Sequence, residues 1–418
     1  MKKLALITLF LVLPVILFAE GSAESKAKKD FTFGTWASGG ELREFQAVID
    51  RVNAAAAGKY KIRLMSYPID YEIRIGGLVA AQKAPDFFWL SQEHISKYAL
   101  MGAIVDITDS ISASTVLKPE RFYPGVLNSA RYNGRYYGLP WIANTTVVYY
   151  NKALFDEAGI PYPNPKGGWT WDQFIETAKK LTKVRVDAQG NPFNQYGYIV
   201  DGWPNIETFI WAGGGDIVAA NSRDLLLDES GAVKGIEILQ KIIASGISPR
   251  RVEVGSNRMV WFANQRVAMY MAGIADNIEN TNFPIGYAPL PVGLDGKSWN
   301  FNWTASTVLN AALKDNPLAY EAMEAITLEI FKWKVAPPIL DMVDQIPRIN
   351  PRKAGAMETI HAALEGARSA NYIPAWNEIN GRLWNRIYER VLNNESFDIR
   401  SELQAIANEC RQIINNQR

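Results

Sequence analysis

The sequence has 418 residues, and its 44 basic and 43 acidic side chains give a formal net charge of +1. That balance argues against a nucleic-acid-binding protein, which needs a basic excess. The single cysteine, Cys410, permits no intramolecular disulfide or cysteine-based metal site, and the two histidines argue against a zinc site. We therefore expect no metal, no cofactor and no nucleic-acid partner.

The N-terminal residues have the pattern of an export signal. Lys2 and Lys3 precede an apolar run over residues 4–18, and about 15 residues are fewer than the ~20 of a spanning helix. Small residues follow at 21–23, so we predict a signal peptide over 1–23 with cleavage after Ala23. Cleavage after Ala19 and an uncleaved anchor are the alternatives. No lipoprotein cysteine ends this segment, and we expect a periplasmic or secreted protein.

Short apolar strands alternate with amphipathic helices in the first part of the chain. Strands are predicted at 31–35, 61–66 and 86–90, and helices at 41–57, 72–82 and 92–101. This alternation is typical of an α/β domain with a largely parallel sheet. The segment between the first strand and helix, residues 36–40, matches no phosphate-binding loop, and we interpret it as a strand-to-helix turn.

A second alternating series runs from 145 to about 272. Its predicted strands are 147–150, 196–199 and 268–271, its predicted helices are 170–181 and 233–244, and from 318 the chain is mainly helical. Thr170 with Gln173 has the spacing of a capping box, so we interpret Trp171 as a packing residue. No flexible linker separates the two series, which favours two lobes joined by several crossing segments.

Three stretches together resemble one protein family. They are GRYYGLPW with VYYNKALF at 134–141 and 148–155, GWTWDQF at 168–174, and APDFFW at 84–89. In this order they resemble the family 1 extracellular solute-binding proteins, which include maltose and other sugar receptors of ABC importers. The resemblance implies a non-enzymatic, monomeric, two-lobed α/β protein, with each lobe a largely parallel sheet flanked by helices and a ligand cleft between the lobes.

The resemblance also implies the limits of the lobes and the partners of the protein. Lobe I would comprise 31–142 and 303–332, and lobe II would comprise 143–302 and 333–418. The lobes would close on a sugar or oligosaccharide by hinge rotation near 141–145, 301–305 and 329–333. ABC-type membrane permease subunits would then take up the ligand.

A sugar site needs aromatic rings for the apolar sugar faces and polar side chains for the hydroxyls. The loops that reach the cleft by resemblance supply the predicted ligand-binding residues: Trp36, Ser38, Glu41, Ser91, Gln92, Glu93, Trp141, Asn144, Trp203, Asn205, Trp211, Gly273, Asp276, Trp303 and Trp376. Core packing competes with ligand stacking for every tryptophan. We favour ligand contact for Trp36, Trp303, Trp376 and Glu93, expect Trp89 and Trp261 in the core, and leave Tyr71 undecided.

The sequence is compatible with two other functions. An exported carbohydrate-active hydrolase would need two carboxylates flanking the bond that it cleaves, and sequence alone cannot select a pair. No GxSxG, HExxH or cysteine nucleophile motif occurs, so no catalytic residue is assigned. A receptor for a charged solute such as glycerol phosphate would need a basic cluster, whereas the cleft loops hold mainly Trp, Asn, Ser and Glu. His94, where maltose receptors have a basic residue, departs from the family pattern.

Overall fold

The computed structural model describes residues 28–200, 202–221, 224–254, 258–334 and 336–416. The predicted signal peptide, its cleavage site and the possible anchor lie outside these ranges. None of the helices within them is both long enough and apolar enough to cross a membrane.

The strands of the described chain are β1 (Asp30–Thr35), β2 (Lys61–Ser66), β3 (Phe87–Ser91), β4 (Arg131–Tyr132), β5 (Arg135–Tyr136), β6 (Leu139–Pro140), β7 (Asn144–Asn151), β8 (Lys183–Val186), β9 (Pro192–Tyr198), β10 (Val267–Gly273), β11 (Ile285–Ala288), β12 (Asn300–Trp303), β13 (Ala305–Leu309) and β14 (Ala367–Arg368).

The α-helices are α1 (Gly39–Ala55), α2 (Tyr71–Ala80), α3 (Gln92–Leu100), α4 (Thr108–Ala113), α5 (Pro124–Leu127), α6 (Lys152–Glu157), α7 (Trp171–Leu181), α8 (Ile206–Ala212), α9 (Ser230–Ala244), α10 (Arg251–Val254), α11 (Arg258–Ala263), α12 (Ala319–Phe331), α13 (Ile346–Ile349), α14 (Met357–Glu365), α15 (Trp376–Leu383), α16 (Glu389–Leu392) and α17 (Ile399–Asn416). A π-helical turn, Trp384–Tyr388, joins α15 to α16.

The first sheet has the strand order β2-β1-β3-β13-β6. Its β2-β1-β3 part is parallel, as the alternation of strands and helices predicts, and the two later strands β13 and β6 pair antiparallel. This antiparallel addition has a topological cause, because β6 and β13 lie next to the segments where the chain passes to and from the second sheet. The first sheet is therefore mixed, with a parallel part at one side.

The second sheet has the order β14-β12-β7-β10-β9-β8, and β11 also pairs with β7. Its central strand β7 runs antiparallel to β10, β11 and β12, whereas β9 and β10 are parallel. A largely parallel second sheet was expected, and the difference again has a topological cause. The strand β7 enters from the first sheet, so it does not begin with a helical crossover of the kind that makes neighbours parallel.

Strand β7 is buried on both faces. Val147 and Tyr149 belong to one apolar cluster, which also contains the core of the first sheet, and Val148 and Tyr150 belong to a second cluster with α7, α8 and the C-terminal helices. This alternation follows from the two-residue period of a strand. The chain passes from the first sheet to the second between Pro140 and Asn144, and it returns between β12 and β13.

Most predicted elements are present with limits shifted by a few residues. Strand β2 has the predicted limits, and the capping box at the start of α7 is confirmed, because the Thr170 hydroxyl accepts from the Gln173 N–H while the Gln173 side chain accepts from the Thr170 N–H. Trp171 is buried, as expected for a packing residue, and Trp89 is fully buried. Trp261 is only half-buried, since it lies on the short helix α11 at the edge of the core.

Candidate functional site

Aromatic rings gather where the two sheets meet. The Trp36 ring, just after β1, lies 4.9 Å from the Trp89 ring, 6.0 Å from the Trp141 ring and 6.4 Å from the Trp303 ring, measured between centroids. Trp89 and Trp141 are buried, whereas Trp36 and Trp303 are half-buried and Trp303 packs against both apolar clusters. The structure thus brings together the predicted residues Trp36, Trp141 and Trp303. The two half-buried rings keep surface on which a sugar face could stack.

Two carboxyl groups on helices that pack with different sheets are close enough to interact electrostatically. Glu93 is in the first turn of α3, after strand β3, and Glu207 is in the first turn of α8, within the second apolar unit. Burial raises the pKa of Glu207 to about 7, with a further contribution from the negative charge of Glu93. Burial likewise raises the pKa of Glu93. The helix N-termini favour negative charge, but desolvation outweighs that effect.

Glu207 has an unused acceptor. Its side chain is 2% exposed, and its Oε2 atom has no hydrogen-bond partner within the described residues. A buried carboxyl oxygen without a partner is costly, so such an atom usually marks a site for water, a proton or a ligand group. The neighbouring Asn205 side chain donates to Glu207 and lowers its pKa by a smaller amount than burial raises it.

Tyr372 lies close enough to both carboxyl groups to interact with them electrostatically. Burial raises its pKa well above the ordinary value, and the charges of Glu93 and Glu207 raise it further. Its hydroxyl accepts a hydrogen bond of 2.7 Å from Nε2 of Gln92. The Gln92 side-chain oxygen in turn accepts from the backbone N–H and the hydroxyl of Thr304, at 3.2 and 3.1 Å. Thr304 stands between β12 and β13, where the chain returns from the second sheet to the first. Gln92 therefore links Tyr372 to this crossing through hydrogen bonds.

Three predicted residues form a hydrogen-bond network at the start of β7. The Asn144 Oδ1 atom accepts from the Ala275 N–H at 2.8 Å, and Asp276 accepts from the Gly273 N–H at 2.9 Å and from Asn144 Nδ2 at 3.5 Å. A Cβ atom at Gly273 would lie 2.0 Å from Asn144 Oδ1, so only glycine fits there. The structure brings Asn144, Gly273 and Asp276 together, and they bond to one another and to the neighbouring residues Ala275, Tyr149 and Lys353.

Trp211 and Trp376 are buried among protein groups. The Trp211 Nε1 atom donates to Asp216 at 3.2 Å, and its ring stacks with Phe301 on one side and the Arg368 guanidinium on another. Trp376 is 2% exposed and meets the Tyr372 ring edge to face at 4.6 Å. Trp376 thus supports a ring of the site from behind, and its direct contact with a ligand stays a prediction.

The remaining predicted residues lie at the edges of this region. Trp203 is half-buried and meets the Phe301 ring edge to face, and Asn205 stands at the start of α8.

Ser38 is exposed, and Glu41 forms an ion pair with Lys334. Ser91 donates to Glu72 at 3.3 Å. Tyr71 is buried, and its hydroxyl bonds to the Trp89 backbone, which makes it a structural residue.

Sequence reasoning missed Glu207 and Tyr372. Glu207 follows the predicted residue Asn205 by two positions, in the first turn of a helix, and Tyr372 precedes the predicted Trp376 by four. Their proximity to the named residues was a usable signal. The interaction of Glu207 with Glu93 and the hydrogen bond of Tyr372 with Gln92 could not be predicted, because each joins segments that are far apart in the sequence.

The sequence also matches a known protein family. Residues 39–329, more than half of the chain, match the family described as bacterial extracellular solute-binding protein. A binding protein of Brucella abortus (strain 2308) is 25% identical over 274 residues, which are 62% of this chain and 64% of that protein. The chain therefore spans less than two thirds of the length of that curated relative.

Two further proteins extend the likeness. The galactooligosaccharide-binding protein of Bacillus subtilis (strain 168) is 24% identical over 331 residues, covering 77% of this chain and 75% of that protein. The solved structure of an ABC substrate-binding protein from Listeria monocytogenes, in complex with cycloalternan, is 19% identical with a TM-score of 0.75, covering 93% of this chain and 99% of that one. This likeness confirms the two-lobed α/β fold, and the chain belongs to the family of bacterial extracellular solute-binding proteins.

Proposed function

We propose that this protein is the substrate-binding component of an ABC importer, which captures a sugar or oligosaccharide between its lobes and delivers it to membrane permease subunits. The observation that carries the proposal is the meeting of Gln92 and Glu93, after the first sheet, with Glu207 and Tyr372, which pack with the second; Gln92 also bonds to Thr304, next to the half-buried Trp303. Polar acceptors and donors next to aromatic surface suit a sugar, and groups from two lobes let a ligand stabilise closure.

The names of the relatives point in the same direction. The Bacillus relative is named for galactooligosaccharides, and the Listeria neighbour was solved with cycloalternan. Family membership supports a binding protein outside the cytoplasm. We further propose export through residues 1–23, action as a monomer, and hinge rotation at the crossings near 141–145, 301–305 and 329–333. The lobe limits inferred from the sequence, 31–142 with 303–332 and 143–302 with 333–418, belong to the same proposal.

One observation favours a second candidate function. Glu93 and Glu207 are two neighbouring carboxyl groups, and the raised pKa of Glu207, about 7, would suit a general acid. A carbohydrate-active hydrolase therefore remains the alternative. The same pair would also accept a cationic solute, whereas glycerol phosphate would meet like charge there.

Intrinsic tryptophan fluorescence of the purified protein, titrated with mono- and oligosaccharides, tests the proposal. Glycerol phosphate and a polyamine serve as charged controls, and each sugar is recovered and analysed after the titration. We expect a saturable change with at least one saccharide, which is recovered unaltered. Cleavage products would support the hydrolase. A fluorescence response to a charged control alone would mean that the ligand is a charged solute and not a sugar.

A further inference from the structure

A large polar cavity opens beside Tyr372. Its volume is about 710 Å³, and its walls come from residues 128–134, next to the first sheet, and from 220–221 and 370–372, which pack with the second. We call the group of Gln92, Glu93, Glu207 and Tyr372 the carboxyl site. Within it, Tyr372 bonds to Gln92 and interacts electrostatically with Glu93 and Glu207. The cavity is therefore adjacent to the proposed sugar site and, like it, is bounded by both parts of the molecule.

Amide side chains dominate the lining of this cavity. They belong to Asn128, Asn133, Asn221 and Asn371. An amide presents both donors and an acceptor, which suits hydroxyl groups that also do both. The Asn371 Nδ2 atom donates to the Val218 carbonyl at 2.9 Å, which fixes the orientation of the amide. We call this region, with Arg131 and Tyr372, the amide cavity.

The charge of the amide cavity differs from that of the carboxyl site. Its described lining residues include no Asp or Glu, and Arg131 is the charged side chain among them. Arg131 is exposed and lies over the Tyr136 ring, with its guanidinium carbon 5.8 Å from the ring centroid. It forms no ion pair within the described residues, so its N–H donors are available to a ligand. A cavity of amides and one guanidinium favours hydroxyl and ring oxygens as partners.

The size of the cavity bears on the length of the ligand. A volume of about 710 Å³ lies in the usual ~300–1,000 Å³ range of small-molecule sites, which leaves room for more than one sugar unit. A monosaccharide at Glu93 and Glu207 would leave this volume to water.

We propose that the ligand is an oligosaccharide of three or more units. One end is bound at Glu93, Glu207 and Trp303, and the following units lie in the amide cavity, past Tyr372. This inference rests on the proposed function. It adds the length of the ligand and the residues that contact the sugar units farthest from Glu93 and Glu207.

The test is a calorimetric titration of the purified protein with series of one to five units: malto-, galacto- and arabino-oligosaccharides. The variants are Arg131→Ala and Asn371→Ala, with the exposed Arg63→Ala and Asn408→Ala as matched controls. Thermal unfolding of each variant establishes that it folds.

We expect the affinity of the wild type to rise at least tenfold between one and three units of the recognised series. Both cavity variants should lose at least fivefold for three units and stay within twofold for a single unit, and the controls should match the wild type at every length. Equal affinity at all lengths, or equal losses at all lengths, would overturn the inference while leaving sugar binding intact. Failure of every saccharide to bind would overturn the proposed function as well as this inference.

Discussion

The Gln92 side-chain amide donates a hydrogen bond of 2.7 Å to the Tyr372 hydroxyl, across 280 positions of sequence. Gln92 starts the helix that follows the first sheet, and Tyr372 packs in the apolar cluster of the second. Because Gln92 also accepts hydrogen bonds from Thr304, between β12 and β13, this bond joins segments that pack with the two sheets at one of the crossings between them.

Replacing Tyr372 by Phe should favour the open form of the protein. The change leaves Nε2 of the buried Gln92 without its acceptor, at a cost of about 1–3 kcal/mol to the state in which the two residues meet. We expect a larger radius of gyration by small-angle X-ray scattering for Tyr372→Phe without ligand. The matched control is Tyr388→Phe, whose hydroxyl bonds to the Pro204 carbonyl within one lobe. An unchanged radius for Tyr372→Phe, or the same change for both variants, would contradict the interlobe role of the bond.

Glu207 should make the protein less stable as the pH rises. In the unfolded chain a glutamate ionises near pH 4.5, whereas Glu207 in the folded protein keeps its proton until about pH 7. Folding therefore takes up a proton between these values, so the stability contribution falls from pH 4.5 to 7, and the loss of roughly 3 kcal/mol at most is complete above pH 7. Glu207→Gln removes this loss.

Thermal unfolding between pH 5 and 8 measures the effect. We expect Glu207→Gln to raise the melting temperature at pH 8 by several degrees more than at pH 5, relative to the wild type. The control is Glu237→Gln on the exposed face of α9. A shift that is the same at both pH values would show that Glu207 does not carry its proton into the neutral range.

Trp303 should contribute to ligand affinity through stacking. Trp303 and Trp261 are both half-buried, so truncation of either removes a similar amount of packing, but only Trp303 lies among the rings of the site. We expect Trp303→Ala to weaken saccharide binding about tenfold or more, consistent with ~1.5 kcal/mol for an aromatic contact. Trp261→Ala should bind as the wild type does. Equal losses by calorimetry would refute the stacking role.

Trp376→Ala is a poorer probe of stacking, because the Trp376 ring is buried and its truncation would lower the stability of the folded protein.

A buried ion pair should stabilise the segment next to the first crossing. The Lys353 ammonium lies 2.6 Å from the Glu279 carboxylate and also donates to the Tyr149 hydroxyl and the Asp276 carbonyl. The side chains of Lys353 and Glu279 are only 1% and 6% exposed. Breaking such a pair leaves one buried charge without its partner, at about 3–5 kcal/mol. Lys353→Met should therefore lower the free energy of unfolding strongly. In denaturant unfolding, Lys353→Met with Glu279→Leu should recover part of the loss, and a double variant no more stable than the single one would count against this explanation.

Much of the fold could be predicted because its signals are local. Strand β2 follows from a run of residues with strand propensity, and the start of α7 follows from Thr170 and Gln173 alone. The antiparallel pairing of β7 could not be predicted in this way, because it depends on where the chain crosses between sheets. Local periodicity carries no information about that crossing.

The site was only partly predictable for a related reason. Trp36 follows a predicted strand, whereas no strand was predicted where β6 precedes Trp141 or where β12 ends at Trp303, so the meeting of these three rings was indicated only by the family resemblance. Glu207 is one of 43 acidic residues and has no local pattern of its own. Its role depends on burial and on Glu93, which comes near only in the folded chain. Trp211 shows the opposite case, a plausible binding residue whose ring is enclosed by Phe301 and Arg368.

The central claim is that one saccharide contacts both lobes through Glu93 and Glu207. The most direct test is the dissociation constant of the recognised saccharide, measured by calorimetry for Glu93→Gln and for Glu207→Gln, one variant from each lobe. We predict that each variant alone raises the dissociation constant about tenfold, because the loss of a hydrogen bond costs roughly 1 to 1.5 kcal/mol. Wild-type affinity in either variant would contradict the claim, since the ligand would then be bound by one lobe only.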